Sequence, residues 1–125
     1  MRTPAEHLKQ AKDNEDLAER LLQSGDADSI TWAVTALFYS VVHYGRAFIA
    51  AKGTPTITTH GGFESFFRRS WTPPPDLFPL YRRLKDHSER GRYECISYTD
   101  VEVRDLRDNQ LRPFRDAIKA ALGIP

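Results

Sequence analysis

Of 125 residues only one, Cys95, is a cysteine. A lone thiol closes no internal disulfide, so the fold has no cross-link to rely on, and a reducing cytoplasm is the expected setting. Long hydrophobic runs are missing too. The most apolar stretch, residues 29–53, is interrupted by Thr, Ser, His and Arg, which marks a core element and not a membrane span. No basic-then-apolar leader opens the chain, so secretion is not expected. No segment alternates convincingly between apolar and polar, which argues against strands. There is no internal repeat and no low-complexity tail. An excess of one charge is also absent: 18 basic against 17 acidic residues leave a net +1, which by itself speaks neither for nor against nucleic acid. The four histidines, His7, His43, His60 and His87, show no paired helical spacing, and no Gly-rich phosphate loop or nucleophile elbow occurs. Neither a metal nor a cofactor is therefore expected.

The chain does have 40% hydrophobic and 28% charged residues, enough for one globular domain over residues 1–125 with one core. The organising stretch is residues 29–53. Asp28 or Ser29 can cap it, Gly53 can end it and Pro55 blocks its return. Trp32, Ala33, Ala36, Leu37, Ser40, Val41, Tyr44, Ala47, Phe48 and Ala51 cover most of its circumference, so this helix belongs at the centre of a bundle. Before it, Thr3-Pro4-Ala5-Glu6 is a capping box for a helix over 3–24. After it comes a loop over 54–62. A short helix then places Phe63, Phe66 and Phe67 inward, with His60 as its possible cap. Trp71-Thr72-Pro73-Pro74-Pro75 cannot be helical. Asp76 caps a helix from Leu77 to about Ser88, and Gly91 is a break or kink beyond it. Residues 94–98 form a loop. Thr99-Asp100-Val101-Glu102 opens a last helix, about 100–122, which Pro113 should bend near Asn109. The pattern predicts an all-α fold: an up-and-down four-helix bundle with a short extra helix in the long 53–76 connection.

The polar residues on the central helix are the first site candidates. Tyr39, His43 and Arg46 stand at i, i+4 and i+7 and share one face. Arg46 on a largely buried helix needs a partner or a wet cleft. His60 comes next, in the loop, where it either caps a helix or faces a cleft. The second candidate is a charge asymmetry. Residues 68–92 carry Arg68, Arg69, Arg82, Arg83, Lys85, Arg90 and Arg92 against three acids, a balance of +4, leaving −3 for the rest of the chain. Such a region attracts anions. Cutting RNA without a metal needs a base, an acid and cations for the phosphorane, roles suited to His, Tyr and Arg. Arg82-x4-His87 and Arg2-x4-His7 place such residues close together.

Trp32-Ala-Val-Thr-Ala-Leu-Phe-Tyr-Ser-Val-Val-His43, the Gly-Thr-Pro loop with His60, and Tyr81-x-x-Leu84-x-x-x-Ser88-x-Arg90-x-Arg92-Tyr93 together resemble small bacterial members of the HEPN superfamily, over roughly residues 28–122. The resemblance implies a helical bundle that commonly forms homodimers. It also implies one of two activities: metal-independent endoribonuclease action in toxin–antitoxin or defence systems, or binding of nucleotides, nucleic acid or a protein partner. An antitoxin or a nucleotidyltransferase is the partner such a protein would take. The nuclease motif of the superfamily is Arg-x4–6-His near the last helix. No histidine comes after Arg90 here, and Arg82-x4-His87 meets the spacing one segment upstream. The expected function is therefore RNA or nucleotide binding through an Arg/His/Tyr groove. Arg46, Arg82, Arg92, Tyr39, His60 and Tyr93 would bind, and His43, His87 and Arg90 would act if the protein is a nuclease. A structural, dimerising interaction module is the further alternative. The groove requires Tyr39, His43 and Arg46 to meet Arg90 and Arg92.

Overall fold

A computed structural model describes residues 2–53, 59–72 and 75–125. In chain order, the α-helices among the described residues are α1 (Pro4–Gln23), α2 (Ala27–Ala51), α3 (His60–Ser70), α4 (Leu77–Tyr93), α5 (Asp100–Leu106) and α6 (Arg112–Ala121), with a π-helical turn, Arg107–Leu111, joining the last two. No strand occurs among the described residues. Part of the expected 54–62 loop (54–58), Pro55 with it, and two of the three consecutive prolines (73–74) lie outside the described residues.

The caps account for most helix starts. Thr3 accepts from the Glu6 amide while the Glu6 carboxylate accepts from the Thr3 amide. Thr99 and Glu102 repeat the arrangement at α5. Asp76 accepts from the Phe78 amide at α4. The cap of α2 is Asp26, not Asp28 or Ser29. Gly25 reverses the chain at φ 72, so Asp26 is already extended and accepts from both the amide and the hydroxyl of Ser29. Asp28 falls inside the first turn instead, where its charge favours the helix N-terminus. Gly53 ends α2 with φ 69. The cap of α3 is Thr59, which accepts from the Gly62 amide, so His60 is the first helical residue and its ring is released from capping.

Two expected breaks take another form. α4 does not stop near Ser88 but runs through Gly91 to Tyr93. A β-carbon at Gly91 would stand 3.4 Å from Thr31 Cγ2 and 3.6 Å from the Tyr98 ring. Those are ordinary van der Waals distances, so Gly91 lies against α2 and Tyr98 without a close approach, and the helix passes through it intact. The bend expected from Pro113 is a π turn: the Arg112 amide bonds the Arg107 carbonyl, five residues back. The extra residue in that turn makes room ahead of a proline ring that has no N–H to offer.

The short link after α1 folds it back along α2, where Ser40 Oγ donates to the Ala11 carbonyl at 2.8 Å. α2 is the buried centre. Leu37, Phe38, Val41, Tyr44 and Phe48 are all enclosed, although Trp32 is 56% exposed and Ala51 is exposed. Phe48, Phe63, Phe66, Phe67, Trp71 and Phe114 form an aromatic cluster between α2, α3 and α6. Gly45 allows this approach: a β-carbon there would lie 2.3 Å from Phe63 Cζ. The Phe63, Phe66 and Phe67 face turns inward as their spacing predicts.

Candidate functional site

Helix α4 repeats polar side chains at helical spacing on the flank that faces the π turn. Arg82, Arg83, Asp86, His87 and Arg90, with Phe78 and Gln110, line an open cleft of about 590 Å³. Arg82 is committed, with Nη1 3.3 Å from Glu64 and Nε 3.4 Å from Asp86. Arg83 and Arg90 form no ion pair among the described residues. His87 is held from behind: its Nδ1 lies 2.8 Å from the Tyr98 hydroxyl, which donates to the His87 carbonyl at 3.1 Å. With the phenolic proton on that carbonyl, Nδ1 is the donor of the pair and Nε2 keeps its lone pair. Burial, then the charges of Arg83 and Arg90, hold the imidazole below its ordinary pKa. Tyr98 is positioned by its own amide, which donates to Thr31 Oγ1 at 3.1 Å.

On the other side of α4, Arg92 reaches α2. Its Nη1 donates to the Tyr39 hydroxyl at 3.4 Å, and its guanidinium lies 6.0 Å from the Tyr39 ring centroid and 5.0 Å from that of Tyr93. Tyr93 is 73% exposed. One turn along the same α2 face, His43 Nδ1 stands 3.2 Å from His7 Nδ1, with the rings tilted against each other. Burial, then His7, Arg46 and Arg2, bring the His43 pKa down to about 4. His7 is lowered for the same leading reason. Arg46 has its Nε buried without a hydrogen-bond partner among the described residues. His60 Nδ1 is 3.0 Å from the Tyr81 hydroxyl, and its ring packs on Phe38. Burial, then Lys85 and Arg46, depress it, while burial pushes the Tyr81 phenol up.

The single expected groove is therefore two surfaces. Arg82, His87 and Arg90 come together in the α4 cleft. Tyr39, Arg92 and Tyr93 come together on the α2 side, continuous with His43 and Arg46. Arg90 does not meet Tyr39 or His43. Because α4 stays helical through Gly91, Arg90 and Arg92 lie about 200° apart around its axis. Two contributors, His7 and Tyr98, carry little sequence signal. Each is brought in by tertiary packing, and only the Arg2-x4-His7 spacing hints at the first.

Among the described residues, no three His, Cys, Asp or Glu side chains gather as metal ligands would, and no helix is long and apolar enough to cross a membrane. Comparison with protein-family models, with curated proteins and with solved structures finds no match to this chain.

Proposed function

We propose that the chain is a single HEPN-like helical domain, an up-and-down four-helix bundle with α3 as its extra helix, that binds RNA or a nucleotide through the α4 cleft. The observation that carries this reading is the cleft itself: three arginines and a histidine face one hollow, and only Asp86 opposes them. Arg83 and Arg90 have no carboxylate partner among the described residues, and a guanidinium fork matches two phosphate oxygens at once. Partly walled clefts of one charge sign also draw in anions from solution. Homodimerisation, a toxin–antitoxin or defence role, and an antitoxin or nucleotidyltransferase partner rest on the HEPN resemblance, and a cytoplasmic setting rests on the lone Cys95.

A second reading, a metal-independent endoribonuclease, is favoured by His87. A neutral imidazole with Nδ1–H fixed by Tyr98 offers Nε2 as a base toward the cleft, beside Arg90 for the phosphorane charge. One assay tests both. A labelled RNA is incubated with the protein in EDTA, with Arg83→Ala, Arg90→Ala and His87→Ala alongside. Retention without cleavage, weakened roughly ten-fold by each arginine variant, supports the binding module. Cleavage lost in His87→Ala supports the nuclease. Retention unaffected by either arginine variant sinks the cleft as the binding site.

A further inference from the structure

Away from the α4 cleft, four elements converge on a cation that has no counter-ion among the described residues. Arg46 projects from α2 one turn after His43. Its Nε is closed off from solvent and has no hydrogen-bond partner among the described residues, while the residue as a whole is only half-buried. The surrounding carboxylates are occupied. Glu64 holds Arg82 and Lys85, Glu89 pairs with Lys85, Glu15 takes Tyr44 and Arg115, and Glu6 closes the α1 cap. Around it stand the His7–His43 pair from α1 and α2, His60 from the first turn of α3 and the Tyr81 phenol from α4, and two further cations, Arg2 and Lys85, act on the same histidines. The Arg46 charge acts on all four rings. Gly45 lets α3 settle next to it.

A part-buried guanidinium without a partner is costly and is made favourable by an anion. The histidine pair suits the same ligand. In an Nδ1–H···Nδ1 contact the accepting ring carries its proton on Nε2, so one N–H is left to donate and one lone pair to accept. We infer that Arg46, with His7 and His43, holds a compact oxyanion of the phosphate class on the α2 face. The bound ligand makes its first charge-assisted hydrogen bonds to the guanidinium. Its second negative charge is met by a proton that the imidazole pair takes up. This site lies on the opposite flank of α4 from the proposed RNA cleft and stands independently of it.

The test is a titration of the full chain with inorganic phosphate, monitored by the Arg46 Nε–Hε signal in a ¹⁵N-resolved NMR spectrum and assigned by its loss in Arg46→Lys. A saturable displacement of that signal is expected in the parent protein and in an Arg83→Ala, Arg90→Ala double variant. Phosphate should raise the Tm of the parent, and Arg46→Met should weaken binding roughly ten-fold or more. AMP binding more tightly than phosphate identifies a phosphate monoester as the ligand. Equal or weaker binding identifies the free oxyanion. The inference is overturned if the Arg46 signal stays still while α4 amides shift, if sodium chloride at equal ionic strength moves it as far, or if Arg46→Met keeps the full phosphate-induced rise. Should Arg46→Met fail to fold, the titration of the parent protein still decides.

Discussion

His43 and His87 are both held neutral by burial, yet they are set for different work. His87 turns one nitrogen to Tyr98 and the other toward a cationic cleft. His43 spends its Nδ1 on His7 and ties α1 to α2. The second arrangement makes the fold sensitive to acid. In the unfolded chain each imidazole takes a proton near 6.5, whereas folded His43 takes one only near 4. Between those values the unfolded state binds more protons, so stability falls as pH drops through that window and is level above it. Thermal unfolding followed from pH 7.5 to 4.5 should show this loss, on the order of 2 kcal/mol once solvent screening of the half-buried ring is allowed for. His43→Gln should make the profile shallower, leaving the smaller contributions of the other depressed histidines, and an unchanged slope in that variant would refute the role of the pair. The shared face of Tyr39, His43 and Arg46 is legible from spacing alone. Their partners are not, because His7 and Arg92 stand 36 and 53 residues away and nothing local announces them.

At the level of the helices, the glycines decide more than their positions suggest. Gly91 reads as a break, yet α4 runs through it to Tyr93. Gly45 sits mid-helix, where alanine is intrinsically better by about 1 kcal/mol. Here the methyl group would overlap Phe63, with Cζ at 2.3 Å and Cε2 at 2.6 Å, and crowd Phe67 at 3.1 Å. Overpacking of this kind costs about 1–3 kcal/mol, which exceeds the propensity gain. Gly45→Ala should therefore lower the urea midpoint and change the near-ultraviolet circular dichroism of the aromatic cluster. A more stable variant would show that α3 does not depend on this approach. The capping boxes at Thr3 and Thr99 are readable because a cap needs only residues three positions apart. The π turn is only half readable: Pro113 announces a disturbance, but whether the helix bends or takes in an extra residue depends on the packing of Gln110 and Leu111, both buried.

For the molecule as a whole, the weight of charge is uneven: +4 over residues 68–92 and −3 elsewhere. Folding divides that basic segment between two flanks of α4, with Arg83 and Arg90 on one and Lys85 and Arg92 on the other. If RNA seats its phosphates on the cleft, binding releases counterions and must weaken with salt. Three phosphate contacts predict a loss of roughly 20- to 40-fold between about 50 and 200 mM salt. Fluorescence anisotropy with a labelled oligonucleotide measures this directly, and a salt-independent affinity would mean that phosphates are not what the cleft holds.

Helix identity, the caps at Thr3, Asp76 and Thr99 and the inward aromatic faces were determined by residues within a turn of one another, so the order of amino acids alone was enough to define them. The division of one arginine-rich corner into two surfaces was decided only in three dimensions. It follows from α4 passing unbroken through a single glycine, an outcome of packing against α2 and Tyr98 that no local pattern records.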